Sequence, residues 1–344
     1  MKPLHTPVCD LFGCDVPVML AGMGGPSRSE LVAAVTEAGG FGFLGMVRES
    51  PRRIQTEIER VRARTSRNFG VNLIPAATPP DELIGELQIV LELKPFAVAL
   101  FWDVAPAVIK RLRDAGILVV HQVGSASEAE EAQRAGAQVL IAQGIEAGGH
   151  VRATKPLFET LAEVLAVANV PVLASGGIAN GKDVAAVLRR GAQGAVLGTA
   201  FLATTESFAH DYHKQRIVDS REGETVRTQL FHINWPEGAY VRVLENSVTR
   251  GEHGDAFDGR REVIGQEKSR PIHLFSTDSP LRNMAGDYEA MALYAGIGSA
   301  KIDDIVPAAE RLERIVNEAA DALDAAAEFE NIEPASPVCY EGKT

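Results

Sequence analysis

Residues 16–204 contain eight short apolar segments, each followed by a longer amphipathic segment or by a turn rich in small residues. The apolar segments do not alternate with polar residues, which is typical of parallel strands that helices cover on both faces. Eight consecutive strand–helix units predict an α/β protein with a closed (β/α)8, or TIM, barrel, and an open doubly wound sheet is the alternative. The predicted strands are residues 17–22, 40–45, 69–74, 96–101, 118–123, 138–143, 171–175 and 194–198.

The amphipathic segments between these strands predict the helices of the barrel. The first helix is expected to begin with Ser29 as its N-cap, and Leu31, Val32 and Val35 share its apolar face. The predicted helices are residues 29–38, 51–65, 81–93, 105–114, 127–135, 157–168 and 180–190.

The repeat ends near residue 204, and the rest of the chain divides into three parts. Residues 205–285 carry Trp235, most of the remaining histidines and many charges, and we expect a mostly helical insertion over the mouth of the barrel. Residues 303–329 predict an amphipathic helix, the last of a barrel that comprises residues 1–204 and 286–330. The tail, residues 331–344, contains two prolines and is expected to be loose.

The composition argues against several classes of function. A net charge of −12 repels nucleic-acid phosphates. No apolar run reaches the roughly 18 residues of a membrane span, and the amino-terminal residues have no secretory pattern, so we expect a cytoplasmic protein without a membrane partner. Three cysteines without a CxxC pair, and histidines without metal-ligand spacing, predict neither a disulfide framework nor a metal site.

Ligands of a closed barrel bind at the carboxyl ends of its strands, so the residues there are candidate ligand contacts. Gly176 and Gly177 follow the seventh predicted strand and Gly198 follows the eighth, and such glycines let backbone N–H groups point at an anion. Ser175 and Thr199 add hydroxyl groups, and the two loops together predict a phosphate site, whereas tight turns alone are the simpler interpretation.

The phosphate-bearing ligand is expected to be a mononucleotide. The segment Gly22-x-Gly24 resembles the start of a dinucleotide fingerprint, but Ser27 stands where that motif needs glycine or alanine. No separate domain is available for a second nucleotide half.

His150 is the candidate catalytic residue. It follows Ala147, Gly148 and Gly149, three small residues that let the backbone approach a flat ligand closely. Histidine titrates near neutrality and therefore acts as a base or as a hydrogen-bond donor. His121 lies within a predicted strand, where a core role is expected, and no serine elbow or strand-end cysteine offers a nucleophile.

Several segments resemble one known family. The stretch 143–150 (QGIEAGGH) is similar to the signature of nitronate monooxygenases, formerly called 2-nitropropane dioxygenases. Further matches follow in the family's order: PVMLAGMGG (17–25), FGVNL (69–73), HQVGS (121–125), ASGGIANG (174–181), GAVLGTAFLAT (194–204) and YAGIGSAKIDD (294–304). The insertion matches least.

The resemblance implies an FMN-dependent barrel that oxidises nitronates, and possibly nitroalkanes, with O2 to a carbonyl compound and nitrite. It implies a catalytic role for His150 as base or anion-holding group, and the sequence leaves a homodimer open. Together with the strand-end glycines, it gives the expected FMN contacts: Ala21, Gly22, Met23, Asn72, Gln122, Gly148, Gly149, Ser175, Gly176, Gly177, Gly198 and Thr199.

Two departures leave the substrate open. Members often have lysine where Gln122 stands and glutamine in the segment where Ile297 stands, so we expect a more apolar substrate pocket near Ile297. Arg282, Tyr288 and Tyr294 flank that segment as candidate contacts for a substrate carboxylate.

Three alternative functions follow from the same pattern. One is an FMN-dependent NAD(P)H oxidoreductase that acts on a quinone or an enoyl thioester. A second is chemistry similar to that of IMP dehydrogenase, but this needs a loop cysteine, and none lies between Cys14 and Cys339. The third is a catalytically silent flavin- or phosphate-binding protein.

Overall fold

The computed structural model describes residues 1–330, and it contains a closed barrel of parallel strands. Eight strands close the barrel in the order β1-β2-β3-β4-β5-β6-β8-β9, and β7 lies outside it; the bounds are β1 (Val18–Leu20), β2 (Phe41–Gly45), β3 (Gly70–Leu73), β4 (Ala97–Leu100), β5 (Leu118–Val123), β6 (Val139–Gln143), β7 (Gly149–Val151), β8 (Val172–Ser175) and β9 (Gly194–Leu197). The pairing of β9 with β1 closes the sheet, so the predicted TIM barrel is confirmed and the open sheet is excluded.

Helices follow the strands and cover the outside of the barrel. The last of them, α11, packs against α8 and α2, and thus fills the gap left after β9. The helices are α1 (Pro7–Phe12), α2 (Ser29–Glu37), α3 (Pro51–Arg62), α4 (Pro80–Leu93), α5 (Pro106–Asp114), α6 (Ala126–Ala135), α7 (Leu157–Val167), α8 (Gly181–Leu188), α9 (Thr199–Leu202), α10 (Asp211–Val218) and α11 (Ala308–Glu330).

The start of α2 differs from the prediction. Arg28 is the N-cap residue and makes no side-chain cap, whereas Ser29 is the first helical residue. The carboxylate of Glu57, on α3, accepts a hydrogen bond of 2.9 Å from the backbone N–H of Ser29. A neighbouring helix therefore satisfies the helix end that a local serine was expected to cap.

The short helix α1 covers the amino-terminal end of the barrel. Its Phe12 is fully buried and meets Phe41, the first residue of β2, edge to face at 4.7 Å. Phe41 in turn meets Phe43 at 5.0 Å, so these rings fill the barrel interior. With six residues, α1 was too short for its periodicity to be seen in the sequence.

The prediction of a mostly helical insertion was wrong. Residues 205–285 contain the eight-residue helix α10 and four strands. These segments are short and pair with partners distant in sequence, and hydrophobic periodicity does not detect such pairing. The strands are β10 (Thr225–Thr228), β11 (Tyr240–Leu244), β12 (Val263–Glu267) and β13 (Arg270–His273), and β14 (Met284–Gly286) follows.

The insertion forms two small antiparallel sheets, and one of them includes a strand of the barrel mouth. One has the order β13-β12-β14, and the other has the order β10-β11-β7. Strand β7 belongs to the loop after β6, and its residue His150 lies opposite Val241 of β11. The insertion is thus built directly onto the segment that carries the candidate catalytic histidine.

Two features are absent from residues 1–330. No helix among them is long and apolar enough to cross a membrane, and no group of three or more metal-ligating side chains occurs there. The predicted loose tail, residues 331–344, lies outside the described residues.

Candidate active site

A cavity of about 780 Å³ opens at the carboxyl ends of the barrel strands, beneath the insertion. It brings together every residue that the sequence placed at the mouth. These residues are Ala21, Gly22, Met23, Asn72, Gln122, Gly148, Gly149, His150, Ser175, Gly176, Gly177, Gly198 and Thr199.

The loop after β8 requires glycine at two consecutive positions. Gly176 and Gly177 have φ values of +113° and +72°, which are rare for residues with a side chain. A Cβ at Gly176 would lie 3.1 Å from the backbone oxygen of Gly144, so a substitution would have to move backbone. The two glycines form a concave, side-chain-free wall, which fits the phosphate end of a mononucleotide.

The two predicted hydroxyl donors differ in the structure. Ser175 Oγ donates to the backbone oxygen of Val196 at 3.0 Å, so its hydrogen is already engaged. Thr199 Oγ1 instead accepts from the backbone N–H of Gly296 at 3.1 Å, which leaves its own hydrogen for a ligand. Thr199 is thus the better donor to an anion.

The opposite wall of the cavity is built from β1 and β3. A Cβ at Gly22 would lie 2.3 Å from Asn72 Cβ, so glycine at position 22 makes room for the Asn72 side chain. Asn72 Nδ2 donates to the backbone oxygen of Ala99 at 3.1 Å, which orients the amide. The side-chain oxygen of Asn72 is left to accept a hydrogen bond from a ligand.

Gln143, the last residue of β6, fixes the strand that carries His150. Its Nε2 donates to the His150 backbone oxygen at 3.0 Å, and its Oε1 accepts from the Arg152 backbone N–H at 2.9 Å. The side chain is buried and thereby holds β7 on both sides of Val151. Gln143 is the first residue of the QGIEAGGH stretch, and a polar side chain at the end of an apolar strand is the signal that could have identified it.

The imidazole of His150 lies among aromatic rings. Trp235 stacks on it with 3.3 Å between ring centroids and 21° between planes, and Tyr294 lies 5.7 Å away. His150 Nε2 is buried and has no hydrogen-bond partner among the described residues. A basic nitrogen without a partner at the edge of a ligand cavity is a suitable proton acceptor.

Burial, with a smaller contribution from the positive charge of Arg48, holds the pKa of His150 well below its ordinary range. The imidazole is therefore uncharged at neutral pH. Of the two roles predicted for His150, this state matches the base, because an uncharged ring does not hold an anion by its charge.

Arg48 lines the cavity from the loop after β2, and the sequence pattern did not single it out. Its Nη1 donates to the Asn234 backbone oxygen at 2.8 Å and its Nη2 to Thr277 Oγ1 at 3.2 Å. Within residues 1–330 it forms no ion pair with a carboxylate. Its uncompensated charge beside His150 favours an anionic ligand.

A family model described as nitronate monooxygenase matches residues 5–318 of the chain. The chain belongs to the nitronate monooxygenase family. It is accordingly a flavin-dependent oxidoreductase, and the family as a whole is associated with oxidation of nitronates. The resemblance seen in the sequence is confirmed.

Individual relatives span more than one chemistry. A Mycobacterium tuberculosis protein named as a hydroxy-methyl-oxo-octahydro-indene-carboxyl-CoA dehydrogenase is 30% identical, over 94% of this chain and 98% of its own length. A probable nitronate monooxygenase of Staphylococcus aureus is 29% identical, over 68% of this chain and 78% of its own length.

Similar solved structures also include enzymes with different names. FabK from Thermotoga maritima is 28% identical, with a TM-score of 0.82, 95% of this chain covered and 99% of FabK. A nitroalkane oxidase from Streptomyces ansochromogenes is 34% identical, with a TM-score of 0.77, and 93% of this chain and 99% of that chain are covered.

Of the three residues predicted to contact a substrate carboxylate, only Tyr294 lies at the cavity. Tyr294 lines the cavity, and its hydroxyl donates to the Thr277 backbone oxygen at 3.0 Å. Tyr288 and Arg282 do not line the cavity. The Tyr288 hydroxyl donates to the Met284 backbone oxygen, and the Arg282 guanidinium donates to the Thr205 backbone oxygen.

Ile297 does not line the cavity either. Its side chain is 46% exposed, and its neighbours Gly296 and Gly298 line the cavity instead. The expectation of a more apolar pocket at Ile297 was therefore wrong, because the 3₁₀ turn over Ile297–Lys301 directs that side chain outward.

The other histidines of residues 1–330 lie outside the cavity. His121 is fully buried in β5, its Nδ1 lies 3.0 Å from the Gln122 backbone oxygen, and burial lowers its pKa. This is the core role expected for it.

Proposed function

We propose that the protein is an FMN-dependent nitronate monooxygenase that converts a nitronate and O2 to a carbonyl compound and nitrite. Two features carry the proposal: the uncharged His150, whose Nε2 has no partner among the described residues, and the guanidinium of Arg48, which forms no ion pair with a carboxylate of residues 1–330. One residue suits removal of a proton from carbon, and the other suits an anionic nitro group.

The residues at the mouth fit FMN. Gly176, Gly177, Gly198 and Thr199 would hold the phosphate, because they line the cavity at the ends of the neighbouring strands β8 and β9 and the Thr199 hydroxyl can still donate. Met23, Asn72 and Gln122 would contact the flavin ring from the other strand ends. The open space beside Gly149, where a Cβ would meet nothing within 4 Å, leaves room for a flat group. When bound, FMN supplies the redox chemistry between the substrate and O2.

The side chains then orient and deprotonate the substrate. Arg48 attracts the negatively charged nitro oxygens, and His150 Nε2 accepts the proton from the α-carbon when the substrate is a neutral nitroalkane. The products contain one oxygen atom more than the nitronate, so one O2 balances two nitronates. Each oxygen atom of O2 ends in one pair of carbonyl compound and nitrite, and no external reductant is needed. A preformed nitronate needs no proton transfer and therefore depends less on His150.

Replacement of the base separates the two substrates. We expect His150→Asn to lower turnover of a neutral nitroalkane by roughly 10²- to 10⁴-fold, the usual contribution of a general base. Turnover of the corresponding preformed nitronate should stay within about tenfold of the parent enzyme. Nitrite release under air is the measurement, and His253→Asn, in the insertion and outside the cavity, is the control. Equal losses on both substrates contradict the assignment of His150 as base.

A second candidate is a flavin-dependent NAD(P)H oxidoreductase acting on a thioester. The relative named as a carboxyl-CoA dehydrogenase aligns over 98% of its length, whereas the S. aureus nitronate monooxygenase aligns over 78%. Anaerobic mixing distinguishes the two functions. Bleaching of the flavin absorbance by a nitronate alone supports the monooxygenase, and bleaching by NADH or NADPH alone supports the thioester enzyme.

A further inference from the structure

The segment of the insertion that contains Asn234 and Trp235 reaches the mouth of the barrel. Asn234 has a φ of +71°, a conformation that directs the chain sharply and is uncommon for a residue with a side chain. The next residue, Trp235, is stacked on the imidazole of His150. The insertion thus places one large ring directly on the candidate base.

Arg48 holds this segment from the barrel side. Its guanidinium donates to the backbone oxygen of Asn234 and to Thr277 Oγ1, so a single side chain connects the loop after β2 to two points of the insertion. The oxygen it holds belongs to the peptide bond between Asn234 and Trp235. Fixing that peptide fixes the origin of the Trp235 side chain.

Three polar atoms around this arrangement have no partner. His150 Nε2, Trp235 Nε1 and Arg48 Nε are all buried, and none forms a hydrogen bond among the described residues. An unpaired buried donor or acceptor destabilises the folded protein. The Trp235 ring covers one face of the imidazole, and unpartnered polar atoms gathered beside a cavity call for a functional explanation.

We infer that Arg48 and Trp235 are positioning residues for His150: Arg48 holds the Asn234–Trp235 peptide over the mouth, and Trp235 keeps water away from the imidazole. The inference rests on the proposed role of His150 as the base. It assigns a catalytic purpose to the insertion, because the barrel by itself does not supply the ring that covers His150.

Among the described residues, the guanidinium of Arg48 is the one charged group that acts on the imidazole. Arg48 faces the imidazole from the loop after β2, and Trp235 faces it from the insertion. The uncharged Tyr294 lies just before the 3₁₀ turn at residues 297–301. Trp102, from the loop after β4, meets it only edge-on at 6.4 Å.

The charge of Arg152, close to His150 in sequence, is compensated. Arg152, two residues after His150, pairs with Glu128 at 2.7 Å and with Asp103 at 3.3 Å. Removing the cover or the Arg48 cation is therefore expected to make protonation of His150 easier.

The test follows the titration of His150 directly. The flavin-loaded protein is labelled with ¹³C in the histidine rings, its spectra are recorded between pH 5 and 8.5, and the His150 signal is assigned by its loss in His150→Asn. In the parent protein we expect that signal not to titrate in this range. In Trp235→Leu it should titrate, with a midpoint closer to the ordinary histidine value of about 6.5. Trp235→Phe keeps a stacked ring and should behave like the parent.

Two further variants keep the test decisive. Arg48→Gln removes the cation and its hydrogen bonds to Asn234 and Thr277 without altering Trp235. It should shift the titration midpoint of His150 in the same direction as Trp235→Leu. If Trp235→Leu does not fold, the result for Arg48→Gln decides whether the inference holds. Trp102→Phe is the matched control, and its His150 signal should remain unchanged. The inference is overturned if neither Trp235→Leu nor Arg48→Gln makes His150 titrate, or if Trp102→Phe has the same effect as they do.

Activity separates this inference from the proposed function. If it holds together with that function, kcat/KM for a neutral nitroalkane falls at pH 6 relative to pH 8 in Trp235→Leu, while KM for a nitronate changes little. One further outcome is that the parent protein and all variants release no nitrite from any nitronate while the titration results are as expected. In that case the proposed function fails, and the positioning of His150 by Arg48 and Trp235 still holds.

Discussion

The barrel and the insertion line the same cavity with different chemistry. The barrel contributes backbone and small residues, such as Gly176 and Gly177, whose positions are set by hydrogen bonds between strands. The insertion contributes an aromatic ring, Trp235, and polar groups such as Thr277, whose positions depend on contacts between distant segments.

The difference separates the tasks of the two regions. A wall of backbone suits a cofactor whose phosphate is the same in every turnover. Side chains that reach over the mouth suit control of one base and of the substrate beside it. We therefore expect changes in the barrel loops to affect flavin binding, and changes in the insertion to affect turnover.

The largest expected effect is on cofactor binding in the barrel. Gly176→Val places a branched side chain at a φ of +113°, against the backbone of residue 144, and should weaken flavin binding roughly 100-fold or more. Gly116→Val is the control, because Gly116 also has a positive φ but faces open space outside the cavity. Flavin fluorescence titration measures both, and equal affinities in the two variants would remove the cofactor role of this loop.

A smaller effect concerns the barrel wall under the loop of Arg48. Burial raises the pKa of Glu86, on α4, to about 8. The backbone N–H groups of Arg48 and Glu49 act in the opposite direction, because they favour the ionised carboxylate, but their effect is smaller. The unfolded chain ionises this group from its ordinary pKa of 4.5, so the folded protein loses stability progressively as the pH rises from there to about 8.

Glu86→Gln removes this pH-dependent loss. We expect the variant to be more stable than the parent by about 4 kcal/mol at pH 8, with little difference near pH 4. Urea unfolding at both pH values is the measurement, and Glu92→Gln, exposed on the same helix and not among the groups that shift the pKa of Glu86, is the control. A stabilisation that is the same at both pH values would refute the buried-acid explanation.

The smallest effect tests the contact between the insertion and the glycine-rich loop. Arg242, on β11, donates through Nε and Nη2 to the Ile145 backbone oxygen at 3.3 and 3.0 Å. We expect Arg242→Met to cost about 1.5 kcal/mol of unfolding free energy and to lower turnover severalfold without loss of flavin.

Arg227→Met is the control for that variant. Arg227 lies opposite Arg242 on β10, but its guanidinium lies over the ring of Tyr240 and does not contact the loop. If the two variants have equal turnover, the contact with Ile145 does not matter for the site.

The barrel could be predicted from the sequence because each of its strands is buried on both faces and is marked by local composition. Strand β5 has the predicted bounds, Leu118–Val123, and the other barrel strands begin and end within two residues of the predicted positions. The strands of the insertion could not be predicted in this way, because β11 gains its partners from β10 and from β7, which lies far away in sequence.

The same contrast holds within the site. The glycines and small residues of the mouth follow strand ends directly, so their placement in one cavity needed only the fold. Arg48 and Trp235 have no such local mark. They meet only because the loop after β2 and the insertion cross the mouth from different sides, and this depends on tertiary contacts.

The identity of the bound flavin tests the central claim most directly. Protein purified without added cofactor is denatured by heat, and the released flavin is identified by chromatography and mass spectrometry and counted against protein. The account predicts FMN, about one molecule per chain, as expected for a mononucleotide held at the mouth of a single barrel. Release of FAD, or a colourless protein that FMN does not restore, would contradict it.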